Sequence, residues 1–455
     1  MAQVAAISHA DAADAVAYSG AQPVTAARFL ADVERVAEQL PARSYLVNLC
    51  MDRYRFAVGL IASLVRGQVN LLPPSQTPEM LRQLQRDYGD LYALSDAPQE
   101  PGAIEQVLYP RASEESTGRS SPRQFSVPAF SEAQVAVIAF TSGSTGLPTP
   151  HRKTWGALAR GATAEALSFD LHRGPRATLV GTVPPQHMYG LESTVLMALR
   201  GGLALHAGRP FYPADVAAAL AGIPGDRVLV TTPVHLRALL NEDIQLPHLR
   251  MIVCATAPLS QEMAAQAEAR YRAPLHEVYG FTEAGMVATR RTVEGPAWHC
   301  LRDVRLRRQG DVVRVGGGHV ENEVPCTDVI EPEGDDVFIL HGRNADLVNI
   351  AGKRTSLGYL NHHLNSIEGV RDGVFFMPDE SGDGVTRLTA FVVAPGLTRD
   401  VLLGALRARV DAAFLPRPLY FVDSLPRNAT GKLPRETLLQ YAQLRSGGTK
   451  REDAN

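Results

Sequence analysis

The sequence predicts an α/β protein. A large N-terminal part of helix-flanked, mostly parallel sheets with a small β section precedes a small α+β C-terminal part. Three observations point there. From about Ser44, apolar runs alternate between strand period and helical spacing. Near Gly285 this gives way to short extended segments, and from about Gly342 a second alternation begins. A chain of 455 residues is long enough for two or three domains. We expect one domain over residues 1–342 and another over 343–455.

Each element follows from its own residues. "YLVNLC" reads as a strand, and "RFAVGLIASLVRG" has helical spacing and ends at Gly67. "VNLL" is a strand stopped by Pro73 and Pro74. "PEMLRQLQRDYG" is a helix with proline at its start, where the missing N–H is tolerated, and "DLYALSD" is another strand. The apolar run "QVAVIAF" leads into "TSGSTGLPT", residues 141–149, in which most side chains are small or hydroxyl-bearing. Beyond it, "ATLVGTV", "GLALHAG", "RVLVTT" and "RMIVCAT" read as strands, and "LESTVLMAL", "ADVAAALAG" and "QEMAAQAEARYR" as helices. "GMVATRRTV", "VRLRRQGDVVRV" and "DVFILHG" suggest a small antiparallel section. The C-terminal part reads as helix ("SLGYLNHHLNSIEG"), strand ("DGVFFMP"), strand ("TRLTAFVVAPG"), helix ("RDVLLGALRARVDAAF"), strand ("PLYFVDSLP") and a last helix from Pro434. In parallel sheets ligands gather at the carboxyl ends of strands, which is where the Gly-rich loop falls.

Composition narrows the function. Apolar residues make up 45% and charged residues 20%, ordinary for a globular chain, and the formal net charge is −3. No global field favours nucleic acid or a membrane surface. No apolar run reaches the length of a membrane span, and the N-terminus has no basic region ahead of an apolar stretch. Four widely spaced cysteines form no C-x-x-C pair, which argues against a zinc site or a disulfide framework and for a reducing, cytoplasmic setting. The Gly-rich loop is neither a Walker loop, since no lysine follows its second glycine, nor a dinucleotide fingerprint.

Further segments share the chain with "FTSGSTGLP" in a fixed order: "PPQHMYG" at Pro184, "YGFTEAG" at Tyr279, "CTDVIE" at Cys326, "HGRNADLVNIAGKR" at His341 and "LPRNATGKLPR" at Leu425. Together they resemble the motifs of the adenylate-forming superfamily, which includes acyl-CoA synthetases, aryl-acid ligases, peptide-synthetase adenylation domains and luciferases. The resemblance covers the chain from about Phe140 to Arg435. It implies ATP-dependent activation of a carboxylic acid to an acyl-adenylate with release of pyrophosphate. Transfer to a phosphopantetheine thiol, of coenzyme A or of a holo acyl carrier protein, follows. It also implies that the C-terminal domain is mobile and swings between the two half-reactions, about a hinge near Ala345 and Asp346.

The chemistry accounts for the residue types. Both reactants of the first step are anions, so the site must present donors and positive charge to phosphate. The resemblance assigns the β- and γ-phosphates to Thr141, Ser142, Gly143, Ser144, Thr145 and Gly146, whose glycines let backbone N–H groups approach closely. It sets Tyr279 and Gly280 at the adenine, with Ala255, Thr256 and Ala257 lining the pocket. Thr282 would donate to the α-phosphate and Glu283 would hold Mg²⁺, a hard cation suited to carboxylate oxygens. Asp328 would accept from the ribose hydroxyls, and Arg343 would face ribose or phosphate. Lys432 is the expected catalytic lysine, and His187 would line the acid and thiol sites. Gly352 would border the pantetheine tunnel, with Arg354 near phosphate.

The chain also departs from the pattern. Thr149 stands where many relatives have lysine, with His151, Arg152 and Lys153 just beyond. Ala345 replaces a hinge aspartate, and no glycine precedes Asp328. Asp328 follows Glu283 by only 45 positions, so the small β section reads as trimmed. No aspartate occurs between Pro184 and Glu192, which disfavours an amino acid as substrate. Met188, Tyr189, Gly280 and Met286 suggest an apolar acid pocket. That suits a benzoate- or cinnamate-like acid, and also a short or medium fatty acid. The texture is similar to compact bacterial aryl-acid ligases of pigment pathways. A non-catalytic interaction protein and a luciferase-type oxidoreductase are the other readings open at this point.

Overall fold

A computed structural model describes residues 2–73, 75–98, 104–110, 125–142, 148–242, 244–310, 312–343, 347–350, 353–377, 388–427, 433 and 435–446, with the backbone alone at Ser142, Pro148, Arg343, Leu347, Asn349, 353–356, Tyr359, His362, Arg435, Glu436 and 443–446. Gly143, Ser144, Thr145, Gly146, Ala345, Asp346, Gly352 and Lys432 lie outside the described residues.

The fold is α/β with mixed sheets. A six-stranded sheet runs Pro148–Thr154, Val135–Ser142, Val69–Leu72, Tyr45–Asn48, Leu91–Ser95, Gln106–Leu108 from edge to edge. Its strands are parallel except the first, which folds back antiparallel on Val135–Ser142. An eleven-stranded sheet has a parallel centre in which Leu275–Phe281, Met251–Cys254, Arg227–Thr231 and Thr178–Gly181 lie side by side. Helices start where the sequence supplies an oxygen to cap them. Thr25, Asp52, Thr77, Thr154 and Ser260 each accept from the N–H three residues on. The largest buried cluster joins both sheets, and Trp155, Phe56 and Phe338 within it are fully enclosed. Two further clusters draw only on residues from Val348 onward.

The alternation expected from Ser44 is present, but four features differ from the sequence reading. The Gly-rich loop closes a β-hairpin, with Thr141 opposite Thr149, and the next helix, Trp155–Ser168, starts only after the returning strand. Gly285–Arg291 and Val337–Arg343 do not form a separate small section but continue the large sheet antiparallel. Gly285, at φ +84°, reverses the chain directly after Leu275–Phe281, so the returning strand covers that edge. Among the described residues of this part, only Val304–Gln309, Val312–Gly317 and Val320–Pro325 make a small antiparallel sheet of their own. "LESTVLMAL" is helical but opens as a π-helix over Leu191–Leu196. Finally, Ala15–Ser19, Gln22–Thr25 and the helix Ala26–Gln39 precede the first element read from the sequence.

Candidate active site

The parallel centre of the large sheet delivers its carboxyl ends to one edge. Thr178–Gly181 leads to His187, Met251–Cys254 to Ala255, Thr256 and Ala257, and Leu275–Phe281 to the turn holding Thr282 and Glu283. Thr256 has φ +85°, uncommon for a β-branched residue and held here at the end of a buried strand. Gly280 faces the returning strand so closely that a Cβ would lie 2.4 Å from the Gly285 carbonyl oxygen. No other residue fits there without moving backbone.

Tyr279 and Asp328 meet. The Tyr279 hydroxyl donates to Asp328 Oδ2 at 2.8 Å and lies 3.3 Å from Cys326 Sγ. Its ring packs against Trp298 and Phe338, with centroids 5.7 and 5.4 Å away. Burial and the nearby Asp328 carboxylate push the phenol well above its usual range, so it is a donor throughout the physiological range. Asp328 is in register with Arg343 across the strands Asp328–Pro332 and Val337–Arg343. The fold thus gathers three residues from separate motifs.

A second group forms around Glu283, whose side chain is 35% exposed. His151 Nε2 lies 3.0 Å from Thr141 Oγ1 and 3.6 Å from Glu283 Oε1. Burial lowers the His151 pKa against the pull of Glu283, so the imidazole is neutral at pH 7 and its contact with the carboxylate is not a formed ion pair. Lys153 is 8% exposed, and its ammonium donates to the Glu283 carbonyl oxygen at 2.6 Å. It faces the carboxyls of Glu192, Glu283 and Glu321, while burial lowers its pKa. Glu192, on the π-helix, is pushed up to about 7 by burial. The sequence reading noted His151 and Lys153 as neighbours of position 149 and assigned nothing to Glu192. For His151 and Lys153 the alternation with Thr149 along one strand was the available signal.

Among the described residues, no group of three or more His, Cys, Asp or Glu side chains could hold a metal by itself. A lone, partly exposed carboxylate such as Glu283 fits Mg²⁺ only as the partner of phosphate oxygens, which is how that ion commonly binds.

The residues expected at the acid pocket differ in setting. His187 caps the short helix Met188–Gly190, its Nδ1 accepting from the Tyr189 N–H at 3.2 Å. Tyr189 is buried, with its hydroxyl 3.1 Å from the carbonyl oxygens of both Thr231 and Val253. Met188 is half-buried against the main core, and Met286 is buried in the strand that returns from the Glu283 turn.

A profile of the AMP-binding enzyme family matches residues 6–323. The chain is 31% identical over 309 residues to a 4-coumarate–CoA ligase of Rhodobacter capsulatus, spanning 67% of this chain and 76% of that one. It is 29% identical over 306 residues to a 4-coumarate–CoA ligase of Halorhodospira halophila, spanning 64% and 73%. Among solved structures, ATP-bound MatB from Rhodopseudomonas palustris superimposes with a TM-score of 0.79 at 18% identity, over 95% of this chain and 96% of that one. An o-succinylbenzoate coenzyme A synthetase from Bacillus subtilis, in complex with AMP, gives 0.77 at 18% identity over 93% and 95%. The structural likenesses establish the fold.

Proposed function

The chain belongs to the AMP-binding enzyme family and is an AMP-forming acid–thiol ligase, and we propose that the acid it activates is aromatic, of hydroxybenzoate or cinnamate type. The observation that supports the adenylate-forming chemistry is the convergence of Tyr279, Asp328 and the Glu283 turn at the carboxyl edge of the parallel sheet. The kinship to 4-coumarate–CoA ligases and the apolar Met188 and Met286 support the aromatic acid.

In the first step a carboxylate oxygen attacks the α-phosphorus of ATP, and the bond to pyrophosphate breaks. In the second a thiol attacks the acyl carbon, loses its proton, and AMP leaves. In our reading the Asp328 carboxylate holds the ribose while Tyr279 fixes that carboxylate and borders the adenine with Ala255, Thr256, Ala257 and Gly280. Thr282 donates to the α-phosphate, and the loop from Thr141 to Gly146 with Ser142, Gly143, Ser144 and Thr145 holds the outer phosphates. Mg²⁺, when bound with ATP, offsets phosphate charge, and Glu283 is the side chain that would hold it. Lys432 stabilises charge developing between carboxylate and α-phosphate. Arg343 and Arg354 add positive charge toward ribose and phosphate, His187 borders the acid, and Gly352 borders the thiol's path.

We take residues 343–455 as a second domain that changes position between the half-reactions. The core clusters confined to residues from Val348 onward support that division. Coenzyme A is the acceptor consistent with the ligase relatives, and a holo acyl carrier protein is the alternative. The test is pyrophosphate release from ATP with a panel of aryl and aliphatic acids, adding coenzyme A or a holo carrier protein in turn. Release with aryl acids above aliphatic ones is expected. A preference for fatty acids overturns the aromatic assignment.

A further inference from the structure

Thr149 is exposed at the edge of the hairpin, opposite Thr141. In the same register His151 pairs with Ala139 and Lys153 with Val137, so Thr149, His151 and Lys153 point to one face of the strand. Inward from the exposed position 149, that face carries an imidazole and then an ammonium; the imidazole bonds to Thr141 beside the Glu283 carboxylate, and the ammonium ends on the Glu283 carbonyl oxygen. His151 Nε2 is 3.0 Å from the Thr141 hydroxyl and 3.6 Å from the Glu283 carboxylate. Lys153 Nζ is 2.6 Å from the Glu283 carbonyl oxygen, with the carboxyls of Glu192 and Glu321 as its other charged neighbours. A lysine withdrawn from water in this way costs desolvation that a solvated surface lysine does not. Its reach across 130 positions ties the strand to the turn after Leu275–Phe281.

We propose that His151 and Lys153 are positioning residues for the phosphate and metal end of the site. Lys153 fixes the backbone at Glu283, and His151 fixes the Thr141 hydroxyl beside the Glu283 carboxylate. Together they lock the base of the Gly-rich hairpin to the Thr282–Glu283 turn. The hairpin and turn are thereby aligned without a lysine at position 149. This rests on the reading of the site as an ATP site.

The test is calorimetric binding of ATP with Mg²⁺, without acid, to the full-length chain and to His151→Ala and Lys153→Met, alongside KM for ATP and for the acid. Outer partners of a metal-binding carboxylate are worth about 10- to 100-fold in affinity. His151→Ala is expected to weaken ATP·Mg²⁺ binding about tenfold. ATP binding without Mg²⁺ should change less, the acid's KM should stay within about twofold, and the melting temperature should be unchanged. Lys153→Met is expected to show the same selectivity. If it fails to fold, His151, whose side chain is 18% exposed, decides. Thr149→Lys added to His151→Ala should recover part of the lost affinity. ATP·Mg²⁺ binding like that of the parent chain in His151→Ala, or equal losses for ATP and acid, overturns the proposal. If the unaltered chain binds no ATP, the ATP-site reading fails with it, and that result is read before any variant is made.

Discussion

The hydroxyl of Tyr279 donates to the carboxylate of Asp328 across 2.8 Å, joining residues 49 positions apart. The bond orients the carboxylate that our reading assigns to the ribose. It also holds the tyrosine ring within the Trp298 and Phe338 cage. Tyr279→Phe keeps the ring packing and removes the donor. Loss of one such bond in a buried setting costs about 1–3 kcal/mol, so KM for ATP should rise about tenfold while KM for the acid changes little. Equal change in both constants would remove Tyr279 from the nucleotide site.

Lys432→Ala should lower adenylate formation by about 10²–10³-fold, the usual effect of deleting a positioned charge. Thioester formation from supplied acyl-adenylate should be largely spared, because the lysine acts at the α-phosphate. Rapid-quench measurement of the two half-reactions separates them. Equal loss in both contradicts the role.

Arg53 is fully buried and donates to a hydroxyl and four carbonyl oxygens. These are Thr194 Oγ1, His206, Gly208, Gly181 and Val183, at 2.7–3.3 Å. Removing it strands those acceptors without water. Arg53→Met should therefore lower unfolding stability by about 3 kcal/mol or more. A melting temperature equal to the parent's would show that the acceptors find other partners.

Glu165 is buried beneath the π-helix, takes a hydrogen bond from Ser193 at 2.5 Å, and has its pKa pushed up by burial to about 8. Below pH 4.5 it is protonated folded and unfolded, and contributes no slope. Between 4.5 and about 8 the folded state keeps a proton that the unfolded state has lost, so stability falls as pH rises. The slope contribution approaches about 1.4 kcal/mol per pH unit in mid-window. Glu165→Gln should flatten stability against pH in that range and raise it at pH 8. An unchanged slope in denaturant unfolding at pH 5, 6, 7 and 8 would contradict this.

What was legible in the sequence was local. Tyr279, Thr282 and Glu283 sit within five consecutive residues, and short motifs of that kind name themselves. The parallel centre was legible because continuous apolar runs such as "RVLVTT" and "RMIVCAT" fit strands covered on both faces. The contacts of His151, Lys153 and Glu192 were not, because they depend on which strand Pro148–Thr154 pairs with and on the helical register set by the π-turn at Leu191. The antiparallel continuation at Gly285 was also missed. Its residues suit a separate hairpin equally well, and only the turn at Gly285 decides which edge they cover. The helix Ala26–Gln39 was readable from Thr25 as cap and from Phe29, Leu30, Val33, Val36 and Ala37 at helical spacing.

The most direct test of the account follows the oxygen atoms. An aryl acid labelled with ¹⁸O in its carboxylate is turned over with ATP, Mg²⁺ and coenzyme A, and the products are read by mass spectrometry. If the carboxylate attacks the α-phosphorus and the thiol then breaks the acyl C–O bond, one labelled oxygen must appear in AMP and none in pyrophosphate. Label in inorganic phosphate with ADP as product, or thioester formed with unlabelled AMP, would contradict the adenylate route.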